Sequence, residues 1–359
     1  MNPIQSVNFL SPEEIATREL EEVSKTKLPN LSDIFKDREL RLRQLAAGHA
    51  MRDFLIFTAD LSSAQHKALN DEGFNKKQSV ATRCPSVEQL QASAQRGLPP
   101  LELQNVVLDS VWIDDLNFIL DDVLKHLASE AATRRVIQEL RGFTPEVLNQ
   151  QAQRLLSGVM LGLNLGTAPL IASALQVYWA RVASATAQLY PNKIFPQIAD
   201  ATVCPCCGSK PVASINTVGA DVGTSRYLHC SLCQTKWHMT RIKCTHCEST
   251  KGVAYQSLVE SSAQTARNVE PATTANEAAV SVETCDECHH YLKIVNMAKD
   301  YQVEPVADDL ATVTLDLLIS DAGYTRSGIN LMLLFGPPAD DARRDESDPK
   351  GSFDRSLKK

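Results

Sequence analysis

The sequence has no excess of positive charge: its 359 residues include 36 lysines and arginines against 43 aspartates and glutamates, a net charge of −7. A surface that binds the phosphates of DNA or RNA normally carries a basic excess on one face. We therefore expect no nucleic-acid partner. With 43% hydrophobic residues the chain has ample material for a core, and its length predicts two or three folding units.

An export signal is also missing. The first twenty residues, MNPIQSVNFLSPEEIATREL, contain acidic residues where such a signal needs an apolar core. The pairs Arg134-Arg135 and Arg343-Arg344 are internal and precede no apolar stretch, so neither indicates a twin-arginine signal. We expect a cytoplasmic protein. Because that compartment is reducing, clustered cysteines there bind metal more often than they form disulfides.

Long uncharged runs are rare, and the exception, 157–180, is long enough to span a bilayer. It contains the polar Asn164 and the helix-interrupting run GTAP at 166–169. We interpret the segment as two buried helices, with Thr167 near the cap and Pro169 in the first turn of the second. We expect no membrane insertion.

Catalytic motifs are missing too. The sequence contains no phosphate-binding loop, no His-Glu-x-x-His motif and no nucleophile elbow. The pairs Asp121-Asp122 and Asp308-Asp309 are interpreted as charges on helix surfaces, because nothing nearby would perturb their pKa values. We expect no catalytic residues, no bound organic cofactor and no enzymatic activity.

Helical periodicity dominates the first half of the chain, from 12 to about 195. Apolar residues recur at steps of three and four over 54–68, 107–127 and 136–155. A proline- and glycine-rich stretch predicts a loop at 81–100. That loop contains Cys84, which we interpret as an incidental thiol, since no paired base is in view.

Nine of the ten cysteines lie between 204 and 288. Eight of them form four Cys-x-x-Cys knuckles: Cys204 and Cys207, Cys230 and Cys233, Cys244 and Cys247, Cys285 and Cys288. The two-residue spacer lets both sulfurs face one ion, and two such knuckles supply the four thiolates of a tetrahedral site. Closed four-thiolate sites leave no open position for a substrate and suit either zinc or iron. We predict two metal ions per chain, held by these eight cysteines.

The remaining candidate ligands near the knuckles are interpreted as bystanders. Gly208 favours the tight turn after Cys207, which indicates that Cys207 is the ligand and the adjacent Cys206 is not. With four thiolates available at each site, the histidines are interpreted as surface or supporting groups. These histidines are His229, His238, His246, His289 and His290.

The cysteine-rich region repeats internally. CPCCGSKPVASI from Cys204 aligns with CTHCESTKGVAYQSL from Cys244, and YLHCSLCQTKWHMTRI aligns with VETCDECHHYLKIVNM. The order knuckle, strand, variable loop, strand, knuckle, strand therefore occurs twice. The repeat favours sequential pairing, in which each module closes on its own ion, while a crossed pairing of the first and third knuckles stays open.

The fold class predicted is α+β and multidomain: an all-α N-terminal domain followed by two tandem four-cysteine modules of the rubredoxin or zinc-ribbon type. A single helix is expected at about 306–322. The last segment is polar and charged, which predicts disorder. The expected domains are a helical domain at 1–195, modules at 196–243 and 244–300, a C-terminal helix and extension at 301–336, and a disordered tail at 337–359.

Four runs of the sequence resemble one family, the formate dehydrogenase accessory proteins known as FdhE. They are CPCCGSKPVAS from Cys204, RYLHCSLCQTKWHMTRIKCTHCE from Arg226, ETCDECHHYLKIV from Glu283 and VADDLATVTLD from Val306; RELRLRQLAAGHAMRDFLIFTADLSSAQ at 38–65 is also similar. The resemblance covers about 28–336. All eight knuckle cysteines match the family pattern, whereas Cys206 departs from it, since an apolar residue is more usual there.

The resemblance implies a cytoplasmic maturation factor that acts on the catalytic subunit of respiratory, molybdenum-containing formate dehydrogenases before their twin-arginine export. It also implies that iron is the metal, with zinc as the alternative. Two other functions stay open: an iron-dependent electron carrier and a zinc-ribbon protein that binds nucleic acid. The second is disfavoured because 204–300 contains nine basic and nine acidic residues, although Lys236, Arg241 and Lys243 form a small cluster. Self-association is left open.

Overall fold

The computed structural model describes residues 25–75, 84–101, 108, 110–128, 131–190, 195, 198–219, 223–257 and 278–334. The predicted disordered tail at 337–359 and the start of the predicted helical domain at 1–24 lie outside these residues. The described part has a helical region, then a sheet that contains two four-cysteine clusters, and two further helices. The predicted fold class is confirmed.

The helical region precedes residue 190. Its helices are α1 (Ile34–Leu45), α2 (Arg52–Asn70), α3 (Glu72–Asn75), α4 (Val87–Arg96), α5 (Val111–Leu124), α6 (Ala132–Arg141), α7 (Pro145–Leu156) and α8 (Ala168–Leu189). The periodic segment at 136–155 is thus two helices and not one. The break has a local cause, because Thr144 caps α7 by accepting a hydrogen bond from the amide of Val147, and Pro145 occupies the first turn.

Helix α8 is the centre of this region. Residues 170–183 of this helix are all buried, because the sequence there is apolar or small on nearly every side. Its one charged residue, Arg181, is neutralised by the fully buried Asp115 at 2.9 Å. Pro169 lies in its first turn, as predicted. Two helices were expected at 157–180, and the prediction of the first was wrong. Turns occupy 157–167, where Gly158 and Gly162 have φ of 68° and 72°.

None of the helices in the described ranges has the length and apolarity needed to cross a bilayer.

The prediction of a loop at 81–100 was wrong where α4 (Val87–Arg96) forms. Ser86 starts this helix with a capping box: its hydroxyl accepts from the amide of Gln89, and the Gln89 side chain accepts from the amide of Ser86. Gly97 ends the helix at φ 65°. The prolines that suggested a loop flank the helix without interrupting it. Cys84 lies just before it and is half-buried.

Most of the single sheet comes from the second half of the chain, and its first strand precedes the helices. Its strands are β1 (Thr26–Lys27), β2 (Pro211–Gly219), β3 (Gly223–Cys230), β4 (Lys236–His238), β5 (Val253–Gln256), β6 (Val280–Cys285), β7 (His290–Asn296) and β8 (Thr325–Arg326). The spatial order is β1-β4-β3-β2-β7-β6-β5, with β8 beside β7. The predicted succession of knuckles and strands is confirmed in both halves. The joining of the halves through the parallel pair β2–β7 was not foreseen.

The C-terminal segment expected as one helix contains two, α9 (Pro305–Ala311) and α10 (Val313–Asp321). They are separated by Thr312, at φ −118° and ψ 32°. The surface placement predicted for Asp308 and Asp309 was wrong, since both are buried. Burial raises the pKa of Asp308. Burial acts the same way on Asp309, but the charges of Arg326 and Lys293 hold its pKa below the usual value.

The other acidic pair is divided between surface and interior. Asp121 is exposed and pairs with Arg141, but Asp122 is buried and accepts from Lys67 at 2.7 Å. Burial opposes ionisation of Asp122, yet hydrogen bonds from Lys67 and then Lys125 lower its pKa overall. The surface interpretation therefore holds only for Asp121.

Candidate metal centres

All four knuckles share one backbone design. The residue after the second cysteine of each knuckle has a positive φ: Gly208 at 76°, Gln234 at 64°, Glu248 at 60° and His289 at 54°. The left-handed conformation reverses the direction of the chain directly after each pair of cysteines. Only the first knuckle uses the glycine that suits this conformation best. The three others adopt it with side chains that disfavour it, which points to a constraint imposed by the knuckle itself.

Backbone hydrogen bonds close three of the knuckles in the same pattern. The amides of Gly208, Glu248 and His289 donate to the carbonyls of the first cysteine of their own knuckles at 2.8, 3.2 and 2.8 Å. In the second knuckle the amides of Leu232 and Cys233 instead lie 3.4 and 3.3 Å from the Sγ of Cys230, and in the third the amide of His246 lies 3.3 Å from the Sγ of Cys244. Such amides stabilise negative charge on sulfur, so the second and third knuckles are built to hold thiolates.

The first cluster combines the first and second knuckles. The Sγ atoms of Cys204 and Cys233 are 3.6 Å apart, those of Cys207 and Cys230 are 3.5 Å apart, and those of Cys230 and Cys233 are 3.6 Å apart. All four sulfurs lie within 4.8 Å of one another, and all four cysteines are fully buried.

The second cluster combines the third and fourth knuckles. The Sγ–Sγ distances are 3.7 Å between Cys244 and Cys288 and 3.8 Å between Cys247 and Cys285. Here Cys247 is exposed and Cys288 is half-buried, whereas Cys244 and Cys285 are buried. The grouping in both clusters is the sequential one, not the crossed one. The two clusters differ mainly in their access to solvent.

The spacing of the sulfurs fits a tetrahedral ion. Four sulfurs at about 2.3 Å from a central ion stand roughly 3.8 Å from one another. A disulfide would need a sulfur separation of about 2.05 Å, and the described cysteines form none. Each four-cysteine group can therefore hold one metal ion. When bound, iron supplies a one-electron couple and zinc supplies only a structural link.

Burial makes these thiols dependent on a cation. It raises the pKa of Cys204 and of Cys207 well above the usual thiol value. Burial opposes ionisation of Cys233 as well, but hydrogen bonds from the neighbouring cysteines, Cys204 first, hold its pKa well below that value. The cluster stabilises one thiolate but opposes the ionisation of all four cysteines, because like charges in a buried site repel one another. A bound cation removes that repulsion and couples metal binding to proton release.

The helical region supports the first cluster directly. Gln176 on α8 donates to the carbonyl of Ser231, inside the second knuckle, at 2.8 Å, and it accepts from Gln65 on α2 at 3.0 Å. Arg38 on α1 donates to Gln234 at 2.6 Å and pairs at 3.0 Å with Glu304, the N-cap of α9. Polar side chains in the core therefore fix the position of the second knuckle. Sequence reasoning missed them, since nothing local marks a buried glutamine as a support.

The histidines stand outside the two groups of sulfurs. No histidine nitrogen of the described residues belongs to either group. His229 is fully buried and bonds Gln234 at 3.0 Å, and burial lowers its pKa to about 3. His246 and His290 stack at 3.6 Å beside the second cluster.

Cys206 is a fifth buried thiol next to the first cluster. It is fully buried, and its Sγ lies outside the group of four. Its carbonyl accepts from the amide of Leu101 at 2.9 Å, which ties the first knuckle to the helical region.

A helical region joined to two consecutive four-thiol modules defines a metal-binding protein of the zinc-ribbon class. Models of one family match nearly the whole chain: "FdhE, N-terminal" matches 23–192, "FdhE, central domain" matches 203–241 and "FdhE, C-terminal domain" matches 242–333. The chain belongs to the FdhE family, as the resemblance predicted.

Individual relatives agree with this assignment. The FdhE homolog of Cronobacter sakazakii is 34% identical over 309 residues, which cover 86% of this chain and 90% of the relative. The FdhE homolog of Serratia proteamaculans is 35% identical over 339 residues, covering 92% and 99%. The crystal structure of the FdhE protein from Pseudomonas aeruginosa superimposes with a TM-score of 0.71 at 32% identity, covering 88% of this chain and all of that one.

Proposed function

We propose that this chain is a cytoplasmic accessory protein of formate dehydrogenase, without catalytic activity of its own. It binds the catalytic subunit of the respiratory enzyme and assists its maturation before twin-arginine export. Its eight knuckle cysteines hold two metal ions, iron in preference to zinc. The observation that carries the proposal is the membership of the FdhE family over nearly all of the described chain, with both four-cysteine clusters in place.

An apolar turn in the helical region supports the docking role. Val159 and Leu161 are 43% and 70% exposed, and Leu165 is exposed as well. The turn that presents them is held to α7, because Gln151 donates to the carbonyl of Gly162 at 2.9 Å. Exposed apolar side chains on a fixed turn are typical of a surface that binds another protein. We therefore assign this turn at 159–165 to the contact with the catalytic subunit.

The test is co-purification of the catalytic subunit with the tagged chain from the native host. Leu161→Asp places a charge in the proposed contact and should weaken capture about tenfold or more, because a buried unpaired charge is costly. Leu40→Asp, on an exposed leucine of α1 that is 58% exposed, is the matched control and should leave capture unchanged. A host that lacks the gene and keeps normal formate dehydrogenase activity would refute the accessory role.

The second cluster gives the electron-carrier alternative a specific basis. An exposed thiol at Cys247 places one edge of that cluster at the surface, where a redox partner can approach. Reversible bleaching and return of visible absorption on reduction and oxidation would favour this role. Colourless protein with two equivalents of zinc would exclude it.

The nucleic-acid alternative has less support. Of the three cations in the predicted cluster, Lys243 pairs with Glu248 and Lys236 is half-buried, which leaves Arg241 exposed. One exposed cation is not the basic surface that a nucleic-acid backbone requires.

A further inference from the structure

A cavity of about 440 Å³ lies on one face of the sheet where the two modules join. Asn216 on β2 pairs in register with Arg226 on β3 and with Asn296 on β7. The cavity thus combines side chains from the first and second modules across the parallel pair β2–β7. It is separate from both cysteine clusters.

The side chains that line this cavity are cationic or neutral. Arg226, Arg241 and Lys299 contribute positive charge, and Asn216, Asn296 and Ser281 contribute neutral hydrogen-bonding groups. No carboxylate of the described residues is among the lining side chains. Arg241 and Lys299 are exposed and have no ion-pair partner within the described ranges. A local cationic surface on a chain of net charge −7 indicates an anionic ligand.

The buried donors of Arg226 are the strongest indication that this cavity binds an anion. It is 2% exposed, and its Nη1 pairs with Oε2 of Glu283 at 2.6 Å and donates to the carbonyl of Lys243 at 3.3 Å. Its Nε and Nη2 are buried and have no hydrogen-bond partner among the described residues, and the same holds for Oδ1 of Asn216. Buried donors without partners are rare in proteins. Nε and Nη2 together form the planar fork that binds two oxygens of one oxyanion.

The charge of the cavity favours a phosphate over a carboxylate. A carboxylate carries one negative charge on two oxygens, whereas a phosphate monoester carries nearly two negative charges on three oxygens and can face Arg226, Arg241 and Lys299 together. The cavity is also much larger than a phosphate ion. Its remaining walls include the ring of Tyr255 and the side chain of Ile242, which is 65% exposed. An organic group attached to the phosphate would lie against these walls.

We propose that this cavity binds the phosphate group of a small phosphate ester, with Arg226, Arg241 and Lys299 as the phosphate ligands. The organic part of the ester lies against Tyr255 and Ile242. Binding requires both modules in their joined arrangement, because the contributing strands belong to different modules. The site is independent of the docking turn at 159–165 and of the eight knuckle cysteines.

The test is calorimetric titration of the full-length, metal-loaded protein with adenosine 5′-monophosphate, inorganic phosphate and acetate, with line broadening of the phosphorus NMR signal as a second readout. We expect one phosphate ester per chain, inorganic phosphate bound more weakly, and acetate bound more weakly still. Arg241→Gln and Lys299→Gln remove exposed cations, so both variants should fold and retain their metal. Each should weaken binding about tenfold, the usual effect of losing a charge-assisted hydrogen bond.

Lys251→Gln is the matched control, because Lys251 is an exposed lysine of the second module outside the cavity; its affinity should equal that of the unchanged protein. Four results would overturn the proposal. They are no binding of either phosphate compound at millimolar concentration, acetate bound as tightly as phosphate, equal weakening by Lys251→Gln, and an oligonucleotide bound far more tightly than the mononucleotide with a steep salt dependence.

Discussion

A chelator should remove metal from the two clusters at different rates. The first cluster has four fully buried cysteines, while the second exposes Cys247 and part of Cys288. A chelator can reach the second cluster in the folded protein. It reaches the first only after the helical region opens. We therefore expect two phases of metal release, each of one equivalent.

The ratio of the two rates of metal release follows from the free energy needed to expose the first cluster. Access to the first cluster requires breaking the bond between Gln176 and the carbonyl of Ser231, which contributes about 1 kcal/mol. It also exposes Leu232, now 1% exposed, at a cost of about 2 kcal/mol. A free energy of about 3 kcal/mol corresponds to a population lowered roughly 100-fold, since each 1.4 kcal/mol is a factor of ten. The slow phase should therefore be roughly 100 times slower than the fast one.

The assay is anaerobic mixing with a chromogenic chelator, followed by its absorbance. Cys247→Ser should remove the fast phase and leave the slow one. Gln176→Leu should accelerate the slow phase about fivefold and leave the fast one unchanged, because the bond that holds Ser231 of the first cluster is lost, and the bond from Gln65 that is lost with it lies within the helical region. Cys84→Ser is the control and should change neither. A single phase of two equivalents, or loss of the slow phase in Cys247→Ser, would refute the reasoning.

Two further predictions concern the buried charges. Arg181→Met should lower the free energy of unfolding by about 3 kcal/mol, because the fully buried carboxylate of Asp115 loses the cation that pairs with it; urea unfolding measures this, and Asp115→Leu added to it should restore part of the loss. Burial opposes ionisation of Glu304, but the charge of Arg38 lowers its pKa overall. The pair therefore stabilises the fold above the unfolded-state pKa and stops doing so as pH falls through the lower folded-state pKa. In Glu304→Gln the melting temperature should depend less steeply on pH between about pH 5 and pH 3. A melting temperature with the same pH dependence as that of the unchanged protein would exclude this contribution.

The cysteine clusters could be predicted because their signal is local. The two-residue spacer indicates which two sulfurs can bind the same ion. The internal repeat favours the sequential pairing of knuckles that the structure shows. Helix α8 was predictable for a similar reason, since Thr167 and Pro169 mark its start. In these segments a few adjacent residues determine the geometry.

The remaining features depend on distant partners. Asp308 and Asp309 resemble surface charges until Arg41, Lys293 and Arg326 approach from elsewhere in the chain. The two modules join into one sheet through three residue pairs between β2 and β7. The internal repeat predicts each module by itself and does not indicate this pairing. Likewise the cavity with Arg226 exists only because two modules meet. Composition and spacing carry no information about such contacts.

The central claim is that two ions are held by eight thiolates of one chain. Native mass spectrometry of protein purified without oxygen tests it most directly. Our account predicts a mass that corresponds to one chain with two bound metal ions, and a mass two ions lighter after denaturation in acid. A metal-free chain, or one lighter by the hydrogens lost on forming disulfides, would contradict it.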